Sequence, residues 1–473
     1  MRSFAGRRVT IVGLAREGTA LARFLARQEA HVTVTDRQSA EALAENVTTL
    51  AGWPIRRFVL GGHPLDLLDT DVVFVSPGVP LEIPFLVEAR RRGVPLSSET
   101  RLFAELCPAP IVGITGSSGK TTTTTLVGEM LRASGQKAWV GGNIGCPLIE
   151  HLPEMTPTDR VVMELSSFQL EFFAPWAGEE GQGLSPAIAA VLNISPNHLD
   201  RHPSMAAYVA AKKQILLHQR AGDVAVLGLD NAEVRALADE CRGQVLFFSQ
   251  REAVEQGAFL RGGVIVLRLG GEEQPVCPAS EIRLLGRHNV DNVLAACALA
   301  GIAGADVEAM ATVAATFSGV EHRLELVREL NGVRWYNDSI ATSPERMVAA
   351  LRSFDAPIVL LAGGRDKHLP WGEAAELILR KVRHLVLFGE AVPIIERAVA
   401  AERARDEAQS GPEITRVGTL EEAVAVAERV AHAGDVVLLA PGCTSFDAFR
   451  DFAARGERFR GLVRQLKGVK CKE

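Results

Sequence analysis

Residues 114 to 126 read ITGSSGKTTTTTL, a glycine-bracketed Ser-Ser pair followed by a lysine and five consecutive threonines. Gly116, Ser117, Ser118, Gly119 and Lys120 have the composition of a loop whose backbone N–H groups cradle a phosphate. Lys120 adds a full positive charge, and Thr121, followed by Thr122, is placed to offer a hydroxyl to Mg2+. Ile114 stands where the usual nucleotide loop has its first glycine, so the loop is a shortened variant. Other residues with chemical potential lie downstream. Glu164 ends the apolar run Val161 to Met163, where a carboxylate can hold Mg2+ directly or through water, although acids at strand ends are common. VLNISPNHLDRH places His198 and Asp200 in a polar turn, with His198 either functional or a cap for the next helix. Lys212 and Lys213 fall in the helical stretch SMAAYVAAKKQILLH, where a lysine is ordinarily solvated. Asn289 and Asn292, three apart at a helix start, share a face able to pair with a purine edge or merely to cap.

These residues need elements to position them. Ile111 to Thr115 is a short apolar strand, and Leu126, Val127, Met130 and Leu131 give the following segment a helical apolar face, so the loop joins a strand to a helix N-terminus. Upstream, RRVTIVGL, a turn from Gly13 to Gly18, a helix through Leu21, Phe24 and Leu25, and HVTVTD ending at Asp36 open a Rossmann-like unit. Its turn is G-x-x-x-x-G, which lacks the second glycine of the dinucleotide fingerprint, so a nicotinamide cofactor is not expected. Asp36 either contacts a ligand or caps a turn, and DVVFVSPGVP brings Ser76, Pro77 and Gly78 to the same carboxyl edge. Beyond Val320, WYNDSIATSPERMVAAL, PIVLLAGGRDK, HLVLFG and VVLLAPGCTSFDAF repeat the strand, polar turn and helix rhythm. Their strand ends should gather Asp338, Thr342, Lys367 and Ser445 around a second ligand crevice. The expected architecture is α/β in three domains: residues 1–100, Rossmann-like; 101–319, a P-loop parallel sheet; and 320–473, again Rossmann-like.

The chain has 473 residues, 47% hydrophobic and 23% charged, enough for about three domains of ordinary size. Its 51 basic and 57 acidic residues leave a net charge of -6, which argues against bulk nucleic-acid binding. Arg90 to Arg92 reads as a solvated helix face. Seven cysteines without a close pair argue against a disulfide framework or zinc knuckle and fit a reducing cytosol. The N-terminal apolar run is too short for a signal sequence or membrane span, and VLAACALAGIAGA from Val293 reads as packed core helix. ERARDEAQSGP, 402 to 412, and APWAGEEGQGLSP, 174 to 186, read as surface elaborations.

In order along the chain stand ITGSSGKTT, GGNIGCPL, ELSSFQLE, LNISPNHLDRH, YVAAK, GRHNVDN, EHRLE, NDSIAT, GGRDK and PGCTSFDAF. With these motifs the chain resembles the Mur ligases of peptidoglycan precursor synthesis, in particular those that join D-glutamate to UDP-N-acetylmuramoyl-L-alanine. The resemblance implies an ATP-dependent amide ligase in which a substrate carboxylate attacks the γ-phosphate of ATP and an amine then attacks the acyl phosphate. It implies catalytic roles for Lys120, His198, Lys212 and Arg323, and ATP contacts from Gly116 to Thr122, Asn289, Asn292, Arg323 and Asp338. Mg2+ would sit in two sites built from Thr121, Glu164, His198 and Lys212, with Lys212 carbamylated by CO2 into an oxygen ligand. That chemistry needs a shielded Lys212 with a lowered pKa. Asp36, Gly78, Asn143 and His198 would meet the UDP-muramoyl peptide, and Thr342, Lys367, Ser445 and Phe452 the amino acid. A cytoplasmic monomer is implied, with no nucleic acid and no membrane span. Ile340 departs from the pattern, since the family motif often reads NDSKAT; Arg365 or Arg346 is then expected to supply the missing cation. Competing readings are the same chemistry with L-glutamate, a folylpolyglutamate-synthase-like ligase, and a nucleotide-binding module without catalysis.

Overall fold

The computed structural model describes residues 3–145, 147–175, 183–196, 201–284, 286–367, 369–405 and 411–467. His198 and Asp200 fall outside the described residues, as do parts of both expected surface elaborations. The described residues form three sheets, distributed over two compact units, Met1–Phe317 and Ser318–Glu473; the first unit holds two sheets and the second one.

The first sheet is all parallel and runs β3-β2-β1-β4-β5, with β1 Arg8–Val12, β2 His31–Asp36, β3 Ile55–Leu60, β4 Val72–Val75 and β5 Leu96–Ser97. The strand order reverses between β1 and β4, so the turn after β1 and the Ser76 loop after β4 share one carboxyl edge, where such sheets take ligands. Glycine is required there: a Cβ on Gly18 would lie 2.0 Å from the Gly13 carbonyl oxygen, and one on Gly13, at φ +100°, would lie 2.8 Å from Ser76 Cβ.

The central sheet follows the order β14-β13-β12-β11-β10-β9-β6-β8-β7. Its members are β6 Ile111–Thr115, β7 Ala138–Gly142, β8 Arg160–Glu164, β9 Ile188–Val191, β10 Val224–Gly228, β11 Gln244–Ser249, β12 Gly257–Arg261, β13 Val264–Leu269 and β14 Glu272–Pro278. Pairing is parallel from β7 to β12 and antiparallel in the β12-β13-β14 meander. β6 is buried along its whole length between β8 and β9, which explains why it reads as a continuous apolar run. Against it pack the helix Lys120–Ala133 and the helix Arg287–Ile302, whose residues from Val293 to Ala300 are all fully buried. A helix apolar all round has no solvent face, which is what the small-residue run from Val293 requires.

The third sheet orders as β15-β16-β20-β17-β18-β19, with β15 Glu325–Leu330, β16 Val333–Asn337, β17 Ile358–Gly363, β18 Val382–Phe388, β19 Glu413–Arg416 and β20 Val436–Gly442. Only the β15-β16 pair is antiparallel. Because β20 inserts between β16 and β17, the loops after these three strands become neighbours. Among the described residues no helix is long and apolar enough to cross a membrane, and the five described cysteines are free thiols.

Candidate active site

The phosphate loop sits at the carboxyl end of β6 and is held from both flanks. Ser117 N–H donates to the Asn193 carbonyl oxygen at 2.9 Å and Ser118 N–H to Asn193 Oδ1 at 2.9 Å, while Ser117 Oγ shares hydrogen bonds with Ser195 and Tyr208. Gly119 takes φ +79° at the helix N-cap, and a Cβ there would meet Asn292 Oδ1 at 2.2 Å. Only glycine lets the buried Asn292 side chain pack on the loop backbone. Asn292 Nδ2 donates to Asn289 Oδ1 at 2.9 Å, so the two asparagines do share a face beside the loop. Lys120 folds back, donating from Nζ to the Gly116 carbonyl oxygen at 2.8 Å, and Thr122 follows half-buried.

Register places Glu164 directly beside Ile114. The Thr121 hydroxyl donates to Glu164 Oε2 at 2.7 Å and Asn143 Nδ2 donates to Glu164 Oε1 at 2.7 Å. A buried carboxylate and a hydroxyl next to a phosphate loop form an all-oxygen donor set that suits Mg2+. Lys212, only 1% exposed, donates from Nζ to the Gly116 carbonyl oxygen at 2.9 Å and to Thr115 Oγ1 at 3.2 Å. Burial, with Lys120 adding like-charge repulsion and Glu164 opposing, holds its ammonium well below the usual lysine range. The helix Met205–Leu217 thus turns Lys212 inward with Tyr208, whose ring lies 4.8 Å from Nζ. The solvated-face reading fails for Lys212; Lys213, half-buried, pairs instead with Glu240.

At the edge of the first sheet, Asp36 is buried and already engaged: Oδ2 accepts the Leu14 N–H at 2.8 Å and Oδ1 the Gln38 N–H at 2.9 Å. Asp36 thereby caps the turn after β1. Gly78 is exposed with open space around it, and Arg201 of the central region donates to the adjacent Val79 carbonyl oxygen at 3.0 Å. Arg16 reaches the Gly145 carbonyl oxygen at 2.6 Å, tying the first sheet to the loop that carries Asn143.

The second unit has its own cluster. Arg323 is exposed on a turn flanked by His322 at φ +62° and Leu324 at φ +43°, a left-handed backbone that non-glycine residues adopt at a cost. The turn is clamped from below: Asp338 Oδ1 accepts the Leu324 N–H at 3.0 Å, Glu325 accepts the His322 N–H at 2.9 Å, and Asn337 Nδ2 lies 3.0 Å from His322 Nδ1. Burial raises the Asp338 carboxyl to about 6, against the pull of the Leu324 N–H, Arg323 and Arg346.

Around the neighbouring crevice Lys367 Nζ donates to Thr342 Oγ1 at 3.3 Å, Ser445 is buried, and Phe452 is 36% exposed with its ring edge-on to His322. Two of the three strand ends, those of β16 and β20, are tied together by a residue that sequence reasoning missed. Arg455 is fully buried and donates to Ser339 Oγ and to the carbonyl oxygens of Ser339, Cys443 and Thr444. Burial lowers its pKa to about 10, a sign of how little carboxylate compensation it has. Its place one residue before Gly456 on the last helix gave no signal; Asn193 was also missed, though it lies inside the LNISPN run. Among the described residues, Glu321, His322 and Glu457 bring their ligand atoms within 4.8 Å of one another, but Arg460 pairs with both acids.

Sequence comparison matches residues 7–98 to the Mur ligase MurD-like N-terminal domain, 114–300 to the Mur ligase middle domain and 322–443 to the Mur ligase glutamate ligase domain. The chain is 47% identical over 461 residues to UDP-N-acetylmuramoylalanine–D-glutamate ligase of Symbiobacterium thermophilum, covering 97% of this chain and 98% of that one. It is 43% identical to the protein of the same name from Acetivibrio thermocellus, covering 98% of each. In fold it is similar to the UDP-N-acetylmuramate-alanine ligase MurC of Thermotoga maritima, with TM-score 0.55, 20% identity and coverage of 98% and 100%. A pseudomurein peptide ligase from Methanothermus fervidus aligns with TM-score 0.52 and 18% identity over 98% of this chain and 100% of that one. With this end-to-end identity to relatives and a phosphate loop, carboxylate and buried amine assembled on the central sheet, the chain belongs to the Mur ligase family.

Proposed function

We propose that the protein joins D-glutamate to UDP-N-acetylmuramoyl-L-alanine with cleavage of ATP to ADP and phosphate, a step in the synthesis of peptidoglycan precursors. The observation that carries this reading is the identity of 47% and 43% to two ligases of that name over nearly the whole of each chain. In the reaction the alanyl carboxylate oxygen attacks the γ-phosphorus, the bond to the ADP oxygen breaks, and the amine of D-glutamate then attacks the acyl phosphate carbonyl. Phosphate leaves and the amine loses its proton. The loop from Gly116 to Thr122 would hold the triphosphate, with Lys120 swinging from the Gly116 carbonyl oxygen toward the phosphoryl group that moves. We assign Asn289 and Asn292 to the adenine side, and, from the second unit, Asp338 to the ribose and Arg323 to the transferring phosphoryl group.

Thr121 and Glu164 would hold one Mg2+; a second would take Glu164, His198 and Lys212 once CO2 has converted the Lys212 amine to a carbamate with loss of a proton. When bound, these ions offset the charge that develops on the phosphoryl group. A buried lysine whose neutral form is favoured supports that modification. Asp36, Gly78, Asn143 and His198 are assigned to the nucleotide-linked substrate, and Thr342, Lys367, Ser445 and Phe452 to the amino acid. The cytoplasm, where ATP and nucleotide sugars meet, is the proposed location, and a single chain carries every assigned residue. Three domains, bounded near 100 and 319, would separate these three binding tasks.

Phosphate release is the direct assay, with ATP, Mg2+ and UDP-N-acetylmuramoyl-L-alanine supplied and D-glutamate, L-glutamate or no amino acid compared. Release that requires D-glutamate is expected. Release with L-glutamate alone would change the assigned substrate, and no release under any condition would leave a nucleotide-binding module.

A further inference from the structure

The resemblance implies a lysine where this chain has Ile340 and offers Arg346 or Arg365 in its place, and the structure separates these two arginines. Arg365 is committed elsewhere: Nε donates to Glu390 Oε2 at 2.9 Å and Nη2 to Glu390 Oε1 at 3.0 Å, a two-pronged ion pair that satisfies its fork. Arg346 is different. Its Nη1 donates to the carbonyl oxygen of Ile340 itself at 3.1 Å, its only hydrogen bond among the described residues, and it has no ion pair there. The guanidinium therefore lies against the loop whose side chain lacks a charge.

Three further observations give that position meaning. Arg346 stands in the first turn of the helix Pro344–Arg352, the end where the helix dipole disfavours a cation, so stability does not account for it. Its charge acts on Lys367, whose ammonium is held below its usual range by burial first and by Arg346 second. Lys367 in turn donates to Thr342 Oγ1, two residues along the chain from Ile340. The acids that face this region are engaged: Asp338 with the Leu324 N–H, Asp366 with the Trp371 indole at 3.2 Å, and Asp447 with the Glu390 N–H at 3.4 Å. Arg455 is buried and occupied by Ser339 and the carbonyl oxygens of Cys443 and Thr444. Arg346 and Lys367 are exposed cations with donors to spare and no ion pair among the described residues, and such a pair is complementary to a small molecule with two carboxylates.

We propose that Arg346 receives a carboxylate of the incoming acidic amino acid, sharing that task with Lys367 and replacing the cation that Ile340 does not supply. This rests on the function proposed above. A guanidinium offers a planar pair of N–H donors where a lysine would offer a point charge, so the substitution at 340 changes the geometry of recognition as well as its location.

The test is steady-state kinetics on the full chain. Arg346→Ala should raise the D-glutamate KM by about 10-fold or more while the ATP KM stays within about 2-fold, whereas Arg365→Ala should leave both unchanged. Adding Ile340→Lys to Arg346→Ala should recover most of the lost affinity for D-glutamate. A purely structural arginine would not be rescued by a lysine on a different residue. An unchanged D-glutamate KM in Arg346→Ala, or equal losses for ATP and D-glutamate with no recovery in the double variant, overturns the assignment of Arg346 and leaves the ligase reading intact. Wild-type protein that releases no phosphate with D-glutamate removes both.

Discussion

Lys212 shows what burial does to a residue whose type is uninformative. Its stem passes Tyr208 and its nitrogen ends on the phosphate-loop carbonyl of Gly116, out of water and close to a second lysine. Burial and the nearby Lys120 favour the free amine against the pull of Glu164, and a free amine is the form that attacks CO2. Protein prepared in CO2-depleted buffer is therefore expected to have low ligase activity that bicarbonate restores, with a carbamate carbon signal appearing when the bicarbonate carries 13C. Full activity without CO2 and no such signal would show that Lys212 acts as an amine. Asp338 illustrates the same physics in a carboxyl, raised to about 6 by burial while it pins the Leu324 turn. The EHRLE and NDSIAT motifs pointed to Arg323 and Asp338 but gave no hint that the one is presented on a strained turn clamped by the other.

At the scale of elements, the junction of β6 with the helix Lys120–Ala133 determines whether phosphate is held. Glycine at 119 meets two demands at once, a left-handed backbone and room for Asn292. Gly119→Ala should lower the melting temperature and raise the ATP KM, because the new Cβ collides with Asn292 and the backbone strain adds about 1–2 kcal/mol. Combining it with Asn292→Ala should recover part of the thermal loss, since the collision disappears and the strain stays. If the double variant melts no higher than Gly119→Ala, the contact with Asn292 is not the cause. The strand and helix that frame this loop were legible from the apolar runs at 111 to 115 and 126 to 131. Asn193 was not, because its partners Ser117 and Ser118 lie some 75 residues away and only the β6-β9 pairing brings them together.

For the first compact unit as a whole, one apolar cluster joins its two sheets, and a buried polar group sits within that contact. Glu17 and Glu99 lie in it with Gln169, whose Nε2 donates to Glu17 Oε1 at 3.0 Å and to Thr100 Oγ1 at 3.1 Å; Glu17 Oε2 meets no partner among the described residues. Burial raises Glu17 to about 7, and burial with repulsion from Glu17 raises Glu99 to about 8. Both carboxyls thus bind protons more tightly folded than unfolded, so stability falls as pH rises from about 4.5 through 8. Glu99→Gln should flatten that fall, making the variant more stable than wild type by about 1–3 kcal/mol at pH 8.5 and nearly equal to it at pH 5, as denaturant titrations at both values would show. A parallel pH profile in the variant would mean that Glu99 stays ionised in the fold.

The sequence by itself determined the three α/β segments, the phosphate loop and its carboxylate, and the family. These rest on short-range patterns: apolar runs, glycine turns and motifs in a fixed order. It also marked Ile340 as a missing charge. The tertiary structure decided that Lys212 is buried and Lys213 is not, that Asp36 caps the Leu14 turn, that Arg455 ties the ends of two strands, and that Arg346, not Arg365, donates to the Ile340 carbonyl oxygen. Each of those outcomes depends on which distant groups surround a side chain, and burial and charge pairing are properties of the packed chain that no local spacing encodes.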